Sequence, residues 1–110
     1  LQTRPSITGH IYRVLFFGPG FHDGVVTWNE ADAKRLGATL RALREERGSS
    51  QESLAFQAGI TKNQLQLIEA GRASGRRDEA GHSNPRASTL AGLSAVLGVK
   101  LSELLAMSEL

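Results

Sequence analysis

The chain has 110 residues, a formal net charge of +2 at pH 7 and 40% hydrophobic residues, which predicts one domain with a buried core. It contains no cysteine, which excludes disulfide bonds, thiolate metal sites and cysteine nucleophiles and fits the cytoplasmic location that we expect. No apolar run approaches the roughly 20 residues that span a bilayer, so we expect no membrane partner.

Residues 1–28 have the composition of extended chain. Apolar and β-branched residues stand on both sides of Gly18-Pro19-Gly20, and Asp23-Gly24 follows closely. This pattern predicts a β-hairpin or extended arm. Because a lone hairpin is marginal in water, the arm either mediates dimerisation or folds onto its own domain, and the sequence leaves both open. Its aromatic residues are Tyr12, Phe16, Phe17, Phe21 and Trp28.

Residues 29–110 have a helical pattern and form the predicted main domain. Asn29 is suited to cap the first helix, and Gly48 to end it. The apolar stripe has the i, i+4, i+7 spacing of one helix face and consists of Leu36, Leu40 and Leu43. Arg44 and Arg47 stand in the last turn, where the helix dipole favours cations.

Two short helices are predicted next, separated by Gly59. Ser50 caps the first of them, and Thr61 caps the second, which ends at Gly71. Gly59 can adopt a positive φ without steric penalty, as a sharp turn between helices requires. Ala55 is small enough for a close, steep crossing. The predicted wedge between the two helices consists of Leu54, Ile60, Leu65 and Ile68. Two helices joined in this way form a helix-turn-helix unit.

A polar loop follows and leads to two further helices. The fourth predicted helix begins after Pro85 and ends at Gly98. A short fifth helix carries Leu101, Leu104 and Leu105. The sequence therefore predicts a mainly α fold of five helices.

These residues resemble the Cro and phage-repressor-like (XRE-type) family of helix-turn-helix regulators. The resemblance covers residues 34–106. Within the motif, at residues 51–70, it is carried by Gln51, Leu54, Ala55, Gly59, Ile60, Leu65 and Ile68. The stretches LGATLRALREERG, IEAGR and NPRASTLAGLSAVLGVKLSELL resemble the family's first helix, the exit from its third helix, and its fourth and fifth helices.

The resemblance implies a five-helix lambda-repressor-like DNA-binding domain. The expected function is sequence-specific transcription regulation by a homodimer that represses from a pseudo-palindromic operator in double-stranded DNA. In this motif, residues at the start of the third helix contact base edges in the major groove, and polar residues around them contact phosphate. The predicted DNA-binding residues are Gln51, Thr61, Lys62, Asn63, Gln66, Leu67, Arg72, Arg76 and Arg77.

Three features depart from the family pattern. Ser49 stands where an apolar residue is usual. Leu67 occupies a position that is commonly polar, where it either contacts a thymine methyl group or belongs to an interface. Residues 73–83 resemble an insertion, which either orders on the phosphate backbone, contacts a neighbouring subunit, or does neither.

Two other functions stay open. The same fold serves as the antitoxin of a toxin–antitoxin pair, in which a partner toxin is bound and DNA binding is autoregulatory. Alternatively, the domain has lost DNA binding and serves as an interaction module. Catalysis is not expected, and neither is a metal or cofactor, because His10, His22 and His82 lie far apart and lack metal-ligand spacing.

Overall fold

The computed structural model describes residues 28–76 and 81–110. These ranges contain five helices, in the predicted order, and an isolated antiparallel bridge between Arg72 and His82. The predicted hairpin and arm lie outside the described residues, apart from Trp28. The helices are α1 (Glu30–Glu46), α2 (Gln51–Ala58), α3 (Lys62–Ala70), α4 (Ala87–Leu97) and α5 (Leu101–Met107). The predicted five-helix fold is confirmed.

The first three helices begin at the predicted caps. The side chain of Asn29 accepts a hydrogen bond from Asp32 N at 2.9 Å. Ser50 Oγ and Thr61 Oγ1 accept equivalent bonds at 3.0 Å from the backbone amides three residues further along the chain. Each cap satisfies a donor that the first helical turn would otherwise leave unpaired.

Glycine ends α2 and sets the turn into α3. Gly59 has φ +78°, a left-handed conformation that residues with a Cβ atom adopt only at a steric penalty. The Ile60 amide then donates back to Ala55 O at 3.0 Å. The chain therefore reverses within a few residues and begins α3 immediately after the Thr61 cap.

One apolar core joins all five helices. α1 packs on α3 and α5, α2 packs on α3 and α4, and α4 packs on α5. Ile60 is half-buried against this core. Its buried members are Leu36, Leu40, Leu54, Ala55, Leu65, Ile68, Leu90, Leu93, Leu97 and Leu104. The core thus fixes the angle at which the helix-turn-helix unit presents α3.

Gly37 lets α1 approach the end of α3 closely. A Cβ atom at this position would overlap the carbonyl oxygens of Ile68 and Glu69. Both are backbone atoms, which cannot move aside as the tip of a side chain can. Because Gly37 has no side chain, α1 sets the position of α3 directly.

Within the described part of the chain, no single helix is long and apolar enough to cross a membrane. α4 and α5 meet those criteria only when taken together, and they are bent by 92° relative to each other.

Candidate nucleic-acid interface

The start of α3 presents a group of polar side chains on one surface. Lys62, Asn63 and Gln66 are exposed, whereas Leu65 and Ile68 on the opposite face are buried. Three of the predicted DNA-binding residues therefore lie together within the first five residues of the helix. Their amide and ammonium groups can donate to base acceptors, and the amides can also accept.

Thr61 and Gln64 form a reciprocal capping box. Gln64 Oε1 accepts from the Thr61 amide at 2.8 Å and from the Thr61 hydroxyl at 3.2 Å. The hydroxyl oxygen also accepts from Gln64 N. The Thr61 side chain thus holds the start of α3, and a DNA contact by Thr61 stays a prediction.

Gln51 is the first residue of α2 and is half-buried beside α3. Its Nε2 donates to Glu69 Oε1 at 2.8 Å. One amide hydrogen is therefore used inside the protein, and the second remains available to an external acceptor. The predicted phosphate or base-edge contact of Gln51 would thus be made by a side chain that Glu69 already orients.

A buried ion pair lies behind Gln51. The Arg44 guanidinium donates to both carboxylate oxygens of Glu69, at 2.7 and 3.1 Å, and its Nη1 donates to Ser49 O at 2.9 Å. The Arg44 and Glu69 side chains are only 11% and 3% exposed. The hydrogen bond to Glu69 raises the pKa of Arg44 above its ordinary value. This network joins α1, the α1–α2 turn, the start of α2 and the end of α3.

The sequence contains a signal for this pair. Arg44 follows Leu40 by four residues and so continues the buried stripe of α1. A charged residue on a buried stripe requires a partner. The predicted interaction of Arg44 with the helix dipole does not include this partner, and the local sequence predicts no role for Glu69.

Leu67 faces a groove rather than open solvent. It is half-buried and lines an open groove of about 630 Å³ between α3 and the segment 82–89. Gln64, Arg72 and Arg86 line the same groove. A DNA contact by Leu67 stays a prediction.

The predicted phosphate-binding arginines lie just beyond the C-terminal end of α3. Arg72 directly follows Gly71, and both Arg72 and Arg76 are exposed. Arg72 Nη2 donates weakly to Arg76 O at 3.4 Å. Arg77, also in the predicted set, lies outside the described residues.

The two ends of the predicted insertion pair with each other. Arg72 and His82 form the antiparallel bridge, and Ser83 N donates to Gly71 O at 3.1 Å. Ala73 N donates to Gly81 O at 3.3 Å. The base of the loop is therefore ordered beside the end of α3.

Trp28 ties this loop base to the start of α1. Its indole Nε1 donates to Ser83 O at 2.6 Å, and His82 Nε2 donates to Trp28 O at 2.8 Å. Trp28 is half-buried and packs against the core. The sequence predicts Trp28 as part of the arm and predicts no role for His82, because no local pattern links residues 54 positions apart.

The described residues contain no cluster of three or more His, Cys, Asp or Glu side chains that could hold a metal ion. The polar groups at the start of α3 and the arginines at its exit instead provide donors for phosphate and base edges.

A family model described as a helix-turn-helix domain matches residues 35–107. A search of the curated proteins finds no match.

Solved structures share the fold. The restriction-modification controller protein C.AhdI from Aeromonas hydrophila is 30% identical, with a TM-score of 0.57 over 67% of this chain and 97% of C.AhdI. SinR, a master regulator for biofilm formation solved in complex with DNA, is 34% identical, with a TM-score of 0.50 over 64% of this chain and 97% of SinR. The clp gene regulator ClgR from Corynebacterium glutamicum is 23% identical, with a TM-score of 0.60 over 71% of this chain and 72% of ClgR, and supports the fold alone.

Proposed function

We propose a function for this chain, which belongs to the Cro and phage-repressor-like family of helix-turn-helix DNA-binding transcription regulators. It is a repressor that reads a pseudo-palindromic operator as a homodimer. One observation carries the proposal. Lys62, Asn63 and Gln66 are exposed together at the start of α3, the helix that enters the major groove in this motif.

The proposed base contacts follow from the chemistry of these three side chains. The amides of Asn63 and Gln66 can each donate to and accept from one adenine edge, and Lys62 can donate to the acceptors of guanine. Each well-formed bidentate pair discriminates against a wrong base by about 1–3 kcal/mol. The capping box of Thr61 supports this reading, because it fixes the helix end from which these side chains project.

The proposed phosphate contacts are made by residues that precede and follow α3 in the chain. Gln51 stands at the N-terminus of α2, where backbone amides and the helix dipole favour an anion. Arg72 and Arg76 stand at the exit of α3, and Arg77 follows them in sequence. Such contacts position the protein on the duplex without reading its sequence.

The proposed function requires that the chain forms a homodimer. A two-fold protein on a pseudo-palindrome places two copies of α3 in successive major grooves, with half-site centres about 34 Å apart. We propose that residues 1–27, which are rich in aromatic and β-branched residues, contribute to the contact between subunits.

Selection of bound sequences from a random DNA pool tests this proposal. The full chain is compared with a version that begins at Trp28, so that the contacts of Trp28 with Ser83 and His82 are kept. We expect the full chain to enrich a palindrome with half-sites one helical turn apart, and the shortened chain to lose the two-fold character.

A failure of enrichment, with only salt-sensitive background binding, would contradict sequence-specific regulation. It would favour the antitoxin alternative, in which a partner protein is the main ligand. A palindrome that persists in the shortened chain would place the subunit contact within residues 28–110.

A further inference from the structure

We propose that Trp28 and His82 are positioning residues for DNA binding, which hold the backbone of Arg72 where its guanidinium meets a DNA phosphate. Together with Ser83 they form a cluster that we call the clasp. The inference rests on the proposed function, because the ligand of Arg72 is taken to be DNA.

The clasp is a reciprocal pair of hydrogen bonds across the fold. The Trp28 indole donates to the Ser83 carbonyl at 2.6 Å, and the His82 imidazole donates to the Trp28 carbonyl at 2.8 Å. A carbonyl oxygen only accepts, so the proton of this bond is on His82 Nε2. Two successive loop residues are thus fixed to the residue that immediately precedes the Asn29 cap of α1.

Backbone pairing transmits this constraint to Arg72. Ser83 N donates to Gly71 O at 3.1 Å, and His82 is the bridge partner of Arg72. On its other side, Arg72 N donates to Leu67 O at 2.9 Å. The Arg72 backbone is therefore held between the end of α3 and the segment 81–83, which the clasp anchors.

Anchoring matters because Arg72 stands where a long polar loop begins. Its side chain is exposed, so the protein itself gives the guanidinium little packing. A phosphate contact from an ordered backbone avoids the loss of conformational freedom that a mobile loop would incur on binding. Without the clasp, the loop base can separate from α3. The cost of ordering Arg72 on the DNA would then outweigh the gain from one phosphate contact, and that contact would be lost.

The two hydrogen bonds of the clasp are separate from the contacts that hold the helices together. α1 and α3 are joined by the close approach at Gly37 and by the buried pair Arg44–Glu69. Loss of one clasp hydrogen bond therefore leaves the core and the base-reading surface of α3 in place. We therefore expect the variants to lose a phosphate contact and to keep their sequence preference.

Two substitutions remove one clasp bond each. Trp28→Phe keeps an aromatic ring against the core and removes the Nε1 donor, and His82→Ala removes the imidazole. Affinity for the selected duplex is measured against salt concentration. We expect both variants to lower the slope of log K against log salt by about 0.9, the change for one lost phosphate contact, and to keep the preference for the selected sequence. His82→Gln, which retains a side-chain N–H donor, should restore the slope.

Two controls separate positioning from general stability. Ser83 Oγ is buried and has no hydrogen-bond partner among the described residues, so Ser83→Ala keeps both clasp bonds and should keep the slope. Ser108→Ala removes a buried bond to Leu104 O, 2.8 Å long, at the end of α5. It should lower the melting temperature and leave the slope unchanged.

A double-mutant cycle with Arg72→Ala tests whether the change in the slope of log K against log salt arises at Arg72. If the clasp acts through Arg72, His82→Ala produces no further change of slope in the Arg72→Ala background. Additive changes would overturn the inference, and so would a wild-type slope in Trp28→Phe and His82→Ala. If His82→Ala loses its helical circular dichroism signal, the slope of log K against log salt measured for Trp28→Phe tests the inference instead. A wild-type chain that binds no DNA would instead overturn the proposed function.

Discussion

Arg44 and Glu69 form a two-bond ion pair that is almost completely buried between α1 and the end of α3. The guanidinium Nε lies 2.7 Å from Oε2 and Nη2 lies 3.1 Å from Oε1. Glu69 Oε1 also accepts from Gln51 at 2.8 Å. A single carboxylate therefore connects α1, the start of α2 and the end of α3.

Removal of one member of this pair should strongly destabilise the domain. In Glu69→Ala the Arg44 cation stays buried without its partner, and such a change lowers the free energy of unfolding by about 3–5 kcal/mol. Denaturant unfolding followed by circular dichroism measures the loss.

The matched control is the ion pair between Arg41 and Glu45 on the solvent face of the same helix, whose side chains are 63% and 56% exposed. Exposed pairs contribute about 0–1 kcal/mol, so Arg41→Ala should be close to neutral. Equal losses for Glu69→Ala and Arg41→Ala would contradict the role of burial.

Gly37→Ala should destabilise the domain although alanine is the better helix former. The added Cβ would overlap the carbonyl oxygens of Ile68 and Glu69, and relieving the overlap requires α1 and α3 to separate. Overpacking of this kind reduces the free energy of unfolding by about 1–3 kcal/mol, and thermal unfolding measures it. Gly75→Ala is the control, because a Cβ there meets nothing within 4 Å. A Gly37→Ala variant as stable as wild type would show that the two helices can move apart freely.

Local rules made the helices predictable. Asn29, Ser50 and Thr61 cap helices because their side chains bond amides three residues further along, and Gly59 supplies a left-handed turn. Such signals are complete within a few residues of sequence. They identified the five helices and the exposed polar group at the start of α3.

Long-range pairs were not predictable in the same way. The bonds from Trp28 to His82 and Ser83 join segments far apart in sequence, and neither segment shows a pattern that implies the other. Gly37 and Arg44 did leave signals, since a glycine and a cation both interrupt the buried face of α1. Those signals show that a close neighbour is needed but do not identify Glu69.

Gln51→Ala should weaken binding equally on all DNA sequences. If Gln51 donates its second amide hydrogen to a phosphate, the loss affects affinity and not base preference. We expect the slope of log K against log salt to stay nearly unchanged, because the side chain carries no charge. Gln51→Glu should weaken binding further, since a second carboxylate would face both Glu69 and the phosphate. A changed base preference in Gln51→Ala would show that Gln51 contacts a base edge.

Asn63→Ala should weaken binding to the selected duplex by about 1–3 kcal/mol and relax the preference at one base pair of each half-site. The affinities of both proteins are compared on the selected duplex and on its single-base-pair variants. Asn63 makes no intramolecular contact on which the capping of α3 depends, so the melting temperature should hardly change. A uniform loss on every duplex would exclude base reading by Asn63.

The most direct test compares the affinity of the full chain for the selected duplex with its affinity for a scrambled duplex of the same composition. Both are measured at about 0.15 M salt, where surface charges are screened beyond about 8 Å. A sequence-reading regulator should bind the selected duplex at least about a thousandfold more tightly. Equal affinities would mean that only phosphate contacts act, and would contradict the central claim that α3 reads bases.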